Sequence, residues 1–350
     1  MKTRVAINGF GRIGRNTFRV AFDRDDIEVV AINDLTDNKM LAHLLKYDTN
    51  YGQYHHPVSS SESGIKVGDT EIPVTSERDP QNLPWGEHNV DVVIECTGIF
   101  RTTEKASLHL QAGAKKVVIS APAKDDDTQT IVLGANEHDL EGAQANVISN
   151  ASCTTNSLAA VMDIMDREFG VSKAMMTTVH SYTADQRLQD APHSDYRRAR
   201  AAAQNILPTT TGAAIAVTKT VPNLQNKFDG MAVRVPTSVV SMSDVTMLLK
   251  KSTTVDEVNN TLKKLADDLY YQGIIAVTEE QLVSSDFIGN SHSGIIDLPL
   301  TNVVDGDLVK VVVWYDNEWG YSNRLVELVA DVGKMLHGQP APQGRTDESA

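Results

Sequence analysis

The chain has 350 residues, 41% hydrophobic and 22% charged, with a net charge of −14, a composition ordinary for soluble globular proteins and a length that allows two domains with sizeable cores. Two cysteines are too few for a disulfide framework and fit a reducing cytoplasm, and the acidic balance argues against general nucleic-acid binding. No apolar run reaches the roughly 18 residues that a membrane span needs, and "MKTRVAING" enters a strand pattern without a signal-peptide core.

Taken along the chain, "RVAINGFGRIGRNTFRVAF" reads as a short apolar strand, a glycine turn and a helix. "IEVVAIND" is a second strand, and "VDVVIECTG" and "KKVVISAP" are two more near-continuous apolar runs, the pattern of parallel strands covered on both faces. Between the last two, "TTEKASLHLQAGA" predicts a helix capped by Thr102 or Thr103, with Glu104 in its first turn and Gly113 as a stop. This alternation predicts an α/β unit with a doubly wound parallel sheet.

Within it, Gly9-Phe10-Gly11-Arg12-Ile13-Gly14 fits G-x-G-x-x-G. The pattern alone is weak, but here it follows a strand, opens a helix and precedes Asp34 at the end of the second strand. Gly9, Gly11 and Gly14 would let the backbone approach a pyrophosphate at the helix N-terminus. Asp34 would accept the adenosine ribose hydroxyls and repel a 2′-phosphate, favouring NAD over NADP.

After about residue 150 the texture changes. "CTTNSLAAVMDIMDREFG" places Leu158, Val161, Met162 and Met165 at helical spacing, with Gly170 as a stop. "KAMMTTVHSYTADQ" reads as a strand ending at His180. "GMAVRVPTSVVSMSDVTMLLKK" and "DLVKVVVWYDNEW" are longer strands with turn signals, suited to a largely antiparallel sheet in an α+β domain. "STTVDEVNNTLKKLADDL" is an amphipathic helix, and "YSNRLVELVADVGKML" carries Leu325, Val329, Val332 and Leu336 on one stripe. The Pro/Gly-rich tail "HGQPAPQGRTDESA" reads as disordered.

The chemistry-bearing stretch is "SNASCTTN". Cys153 starts a helix among hydroxyl side chains, where the helix dipole and unpaired N–H groups favour a thiolate and can hold an oxyanion or phosphate. A thiol nucleophile needs a base, commonly a histidine; among ten histidines, position alone does not select His180. Cys96, inside an apolar strand, reads as an inert buried thiol. The pair His55–His56 has no companion ligands at zinc spacing, so no metal site is expected.

"INGFGRIGR", "SNASCTTN", "RRARAAAQNILPTTTGAA", "MAVRVPT" and "WYDNEWGYSNR" together resemble the phosphorylating glyceraldehyde-3-phosphate dehydrogenases, in order and spacing from about residue 3 to 336. The resemblance implies a Rossmann-type NAD-binding domain of residues 1–152 and 317–336, a catalytic domain of residues 153–316 and a tail of residues 337–350. It implies oxidation of glyceraldehyde 3-phosphate with NAD and inorganic phosphate, in glycolysis or gluconeogenesis, by a cytoplasmic homotetramer. Cys153 resembles the nucleophile that forms a thioester, and His180 its base. Thr183, Asp185 and Arg234 resemble the residues that line the substrate phosphate. Ser152, Thr154, Thr211 and Gly212 resemble those around the attacking phosphate, with Arg198 as a further basic contact and Arg197 and Arg200 as alternatives to it. For the cofactor the resemblance adds Arg12, Ile13, Arg78, Ser120, Asn317 and Tyr321. Two departures stand out. Ser157 replaces a second cysteine often found four residues after the nucleophile, and Ala191 stands where many NAD-preferring members have leucine, which leaves NADP use open. Erythrose-4-phosphate dehydrogenase is the nearest enzymatic alternative, and a non-catalytic thiol redox sensor is the alternative of another class.

Overall fold

Nearly continuous apolar runs make the first sheet of the computed structural model, which describes residues 1–141, 145–340 and 342. The chain divides into two units: residues 1–131, 137–151 and 322–350, and residues 132–136 with 152–321.

In the first unit the strands of the main sheet are β1 (Thr3–Asn8), β2 (Ile27–Asn33), β3 (Val58–Ser60), β4 (Gly64–Val67), β5 (Thr70–Thr75), β6 (Val92–Glu95), β7 (Lys116–Ile119), β8 (Gln129–Thr130) and β9 (Val147–Ser149). Their order is β8-β9-β7-β6-β1-β2-β5-β4-β3. The strands from β8 to β5 are parallel, and β5, β4 and β3 form an antiparallel meander at the edge. The sequence pattern named the parallel strands β1, β2, β6 and β7 and passed over the meander, whose strands are short and partly exposed. Ala6, Val30, Val93, Val117 and Trp85 form part of one buried cluster on the sheet.

Helix α1 (Arg12–Phe22) starts after Gly11, and α2 (Asn38–Lys46) is capped by the Asp37 carboxylate on the Met40 N–H. The helix expected from Thr102 to Gly113 forms as two pieces, Thr103–Ala106 and Leu108–Gln111. Ser107 interrupts it, its hydroxyl bonding back to the Thr103 carbonyl at 2.6 Å, a back-bond that bends helices. Thr102 is the cap, as one of the two expected, accepting from the Lys105 N–H at 3.2 Å.

In the second unit, α3 (Cys153–Phe169) ends at Gly170 (φ +73°). The strands are β10 (Val171–Ser181), β11 (Leu207–Thr210), β12 (Phe228–Val235), β13 (Ser241–Leu249), β14 (Ile275–Thr278), β15 (Gly294–Asp297), β16 (Asn302–Val304) and β17 (Leu308–Tyr315). The order is β11-β12-β10-β13-β17-β15-β14, with β16 also on β17. The sheet is largely antiparallel, but β10 and β12 run parallel in a register that sets His180 opposite Arg234. Helices α4 (Ala213–Thr220) and α5 (Val255–Ala266) also belong to this unit. A Thr254–Glu257 capping box opens α5. In α6 (Trp319–Leu336), Leu325, Val329 and Val332 of the expected stripe are buried in the first unit. Of the tail expected to be disordered, residues 341 and 343–350 lie outside the described residues.

Candidate functional site

In the first unit, a cavity of about 460 Å³ is lined by Gly9, Gly11, Asp34 and Arg78. It lies where the carboxyl ends of parallel strands leave a crevice, the usual ligand position in such sheets. Gly9 has φ +92°, and a side chain there would meet the Thr97 nitrogen at 2.7 Å. A side chain at Gly14 would strike the Gly9 carbonyl oxygen at 2.1 Å. At Gly11 a Cβ would meet no protein atom within 4 Å. Two glycines therefore hold the turn closed on itself, while the third presents bare backbone to open space beside the start of α1, a cradle that fits a pyrophosphate.

Asp34 is fixed by two N–H donors, Phe10 at 2.7 Å and Thr36 at 2.9 Å. Each carboxylate oxygen accepts one of them and keeps capacity for a hydroxyl. The cavity also shows polar residues the sequence reading passed over: Asn8, Asn33, Glu77 and Thr97. Asn8 and Asn33 are the polar last residues of apolar strands, a signal that was present in the sequence. Arg12 directs its guanidinium to the Asp48 carboxylate, so its contribution to the cradle is backbone. Ser120 follows β7 and bonds its N–H to the Glu95 carbonyl at 3.0 Å. Cys96 lines this cavity and is partly exposed, not the buried thiol expected; desolvation still pushes its thiol up to about 12, in keeping with an unreactive group.

In the second unit, Ser152 caps α3 through its hydroxyl, which accepts from the Thr155 N–H at 3.1 Å. Cys153 is the first helical residue and is partly exposed. Its Sγ lies 3.5 Å from His180 Nε2. The other ring nitrogen, Nδ1, is 2.7 Å from the Ser181 carbonyl oxygen. A carbonyl can only accept, which favours a proton on Nδ1 and a lone pair on Nε2 towards the sulfur, whereas the Arg234 guanidinium beside Nδ1 can only donate, which favours the reverse. Arg234, opposite in the parallel register, donates to the same carbonyl at 3.0 Å and comes within 2.7 Å of Nδ1. Val240 sits at φ +70°, an outlier for a β-branched residue. Its carbonyl accepts from the Ser181 hydroxyl at 2.6 Å, so the strain lies on the loop that holds the histidine's support.

The electrostatics correct one expectation. Burial pushes the Cys153 thiol up, and the Arg234 charge and the Thr154 hydroxyl and N–H pull it down by less. Burial, then Arg234, pushes His180 down to about 3. Desolvation of both charges thus works against the standing thiolate expected from the helix terminus.

Tyr315 was not singled out from the sequence. Its hydroxyl bridges Thr154 Oγ1 and Thr178 Oγ1, each at 2.8 Å. Its ring packs edge-on to His180 with centroids 6.0 Å apart.

Two family models match the chain: the glyceraldehyde 3-phosphate dehydrogenase NAD-binding domain over residues 3–103 and its C-terminal domain over residues 152–317. The glyceraldehyde-3-phosphate dehydrogenase of Geobacillus stearothermophilus is 55% identical over 330 residues, covering 94% of this chain and 98% of that one. Those of Priestia megaterium and Streptomyces coelicolor are 54% and 53% identical, covering 94% and 96% of this chain and 97% and 100% of theirs. The chain belongs to the glyceraldehyde-3-phosphate dehydrogenase family. It is an NAD-dependent oxidoreductase acting on an aldehyde, and the turn and carboxylate described above fit that cofactor.

Other residues expected in a glyceraldehyde-3-phosphate dehydrogenase site are placed as follows. Thr211 accepts from the Ala213 N–H at 3.1 Å, and Gly212 is the N-cap of α4, so both stand at a helix N-terminus. The Thr183 N–H bonds the Gln186 side chain at 3.2 Å. Asp185 is held by the Arg198 guanidinium, which also bonds Thr209 Oγ1 at 3.0 Å. Arg200 pairs with Asp190 at 2.8 Å, and Arg197 reaches the Pro208 carbonyl at 3.4 Å. The Ser152 hydroxyl caps α3, and the Thr154 hydroxyl bonds that of Tyr315. Arg234 keeps its Nε buried without a hydrogen-bond partner among the described residues. Asn317 is buried, its Oδ1 accepting from the Ser241 hydroxyl at 3.1 Å, and Tyr321 is buried too. Among the described residues no helix is long and apolar enough to cross a membrane. The pair His55–His56 gains a companion that spacing had hidden: the Asp23 carboxylate.

Proposed function

We propose that the chain oxidises glyceraldehyde 3-phosphate with NAD and inorganic phosphate to 1,3-bisphosphoglycerate, through a thioester on Cys153. We further infer the division of labour given by residues 1–152 with 317–336 for the cofactor and residues 153–316 for the chemistry, in a cytoplasmic homotetramer. One observation carries the mechanism: the 3.5 Å approach of Sγ to His180 Nε2, taken in the tautomer whose Nδ1 proton goes to the Ser181 carbonyl. Sγ attacks the aldehyde carbon while its proton passes by way of Nε2 to the carbonyl oxygen, giving a hemithioacetal. NAD⁺, when bound, supplies the acceptor for the hydride. As the hydride leaves, Nε2 takes the hydroxyl proton and the carbon becomes a thioester. The thioester keeps acyl-transfer potential, so phosphate attack on its carbon expels the sulfur as an acyl phosphate forms. Of the imidazolium and phosphate protons, one re-forms the thiol and the other goes to water.

Two anions must be held beside these groups. The N-termini of α3 and α4 offer N–H donors at Cys153–Thr154 and Gly212, and the unpartnered Nε of Arg234 supports a charge-assisted contact. Thr183, Asp185 and Arg198 belong to the substrate-phosphate side in this reading, with the Arg198–Asp185 pair orienting the arginine. Asn317 and Tyr321 serve the nicotinamide end; Arg78 and Asp34 serve the adenosine end. The test is initial-rate measurement with glyceraldehyde 3-phosphate, with and without phosphate and with NAD⁺ or NADP⁺. The reading expects NADH formation that depends on phosphate and yields an acyl phosphate. Phosphate-independent release of the free acid at the same rate would overturn it.

A further inference from the structure

Adjacent side chains on a strand point to opposite faces, but His55 and His56 lie on a bend before Pro57 and β3, and there they converge. Their ring centroids are 4.2 Å apart. Both Nε2 atoms face one carboxylate: His56 lies 2.6 Å from Asp23 Oδ1 and His55 lies 3.3 Å from Oδ2. One ligand atom from each of the three residues lies within 4.8 Å of the others. The imidazoles are held by rings: Tyr54 packs edge-on to both, at 4.9 and 5.2 Å, and Phe22 packs on His56 at 5.1 Å.

Asp23 supplies an independent pointer to a cation. It is the C-cap of α1, the negative end of the helix, where a carboxylate is repelled unless positive charge sits on it. The adjacent Arg24 does not provide that charge, because its guanidinium is bound twice to Asp26, at 2.8 and 2.7 Å.

We propose that Asp23, His55 and His56 bind one divalent transition-metal ion of the imidazole-preferring kind, such as Zn²⁺ or Ni²⁺, with water filling the remaining positions. Metal–nitrogen and metal–oxygen bonds of about 2.0–2.2 Å set neighbouring ligand atoms a little over 3 Å apart; His55 stands at that spacing from Asp23, while His56, hydrogen-bonded at 2.6 Å, would draw back on binding. On binding, each Nε2 and one carboxylate oxygen donate a lone pair. The Nε2 protons that face the carboxylate relocate through water to Nδ1, so neutral imidazoles release no net proton and nothing is oxidised or reduced. The site is distinct from the cradle at the other end of α1, and it would tie the end of that helix to the loop before β3.

The test is equilibrium dialysis of the tag-free, full-length protein against Ni²⁺, with His55→Gln, His56→Gln and Cys153→Ser compared. We expect one Ni²⁺ per chain, weakened at least ~10-fold in either histidine variant, since even outer-shell partners of a metal cost that much, and unaltered in Cys153→Ser. Ni²⁺ should also raise the melting temperature of the parent but not of the histidine variants. Aldehyde oxidation without added metal should stay at the parental rate in both histidine variants, showing that they fold. No binding, binding unchanged in both histidine variants, or binding lost in Cys153→Ser would each overturn the proposal.

Discussion

Replacing His180 by asparagine tests the electrostatics of the site through stability alone. His180 is buried, and its pKa is pushed from 6.5 to about 3 by desolvation and by Arg234. Between those values the unfolded chain binds a proton that the folded chain refuses, so this histidine makes stability rise with pH there and fall as pH drops. From pH 7.5 to pH 5 the single group should cost the folded protein about 2 kcal/mol, at 1.36 kcal/mol per unit. His180→Asn removes the titration while leaving a side chain that can still donate to the Ser181 carbonyl. Cys153 stays protonated in both states across this window and does not enter the difference. The assay is urea unfolding of parent and variant at several pH values, comparing slopes because the variant has its own baseline. The parent should lose about 2 kcal/mol more than the variant on acidification. Parallel pH curves would refute the claim that the imidazole is held neutral by burial.

Three further outcomes follow from the geometry. Asp34→Asn should shift the kcat/KM ratio of NADP⁺ to NAD⁺ upward by at least ~10-fold, about 1.4 kcal/mol, because it deletes the negative charge that repels a 2′-phosphate; steady-state kinetics with both cofactors checks it. Tyr315→Phe should destabilise the protein by about 1–3 kcal/mol, since two buried threonine hydroxyls lose their shared partner, as measured by denaturant melts. Iodoacetamide at pH 8 should label Cys153 far faster than Cys96, whose thiol burial holds near 12; equal labelling in the native protein, read by peptide mass spectrometry, would contradict the difference between the two environments.

What could be read from the sequence was local. The glycine turn, its strand and Asp34 lie within one short stretch, so spacing alone carried them. Cys153 at a helix start was equally legible, because Ser152, the apolar stripe and Gly170 mark both ends of α3. What stayed hidden depends on contacts between distant segments. Arg234 stands beside His180 only because β10 and β12 pair in parallel within a largely antiparallel sheet. Tyr315, at the end of β17, reaches Thr154 on α3 and Thr178 on β10, both far from it in the chain. The opposing influence on the thiol was hidden for a related reason: a helix terminus is visible in sequence, whereas the desolvation that works against it is set by packing. Asp23 escaped notice beside His55 and His56 because a fold, not a spacing, joins a helix end to that bend.

The account rests on a covalent bond at Cys153, and intact-mass and peptide mass spectrometry test it most directly. Protein mixed with glyceraldehyde 3-phosphate and NAD⁺ in the absence of phosphate should carry one acyl group per chain on the peptide containing Cys153, discharged when phosphate is added and absent from Cys153→Ser. Turnover of Cys153→Ser at the parental rate, or an acyl group on another peptide, would contradict it.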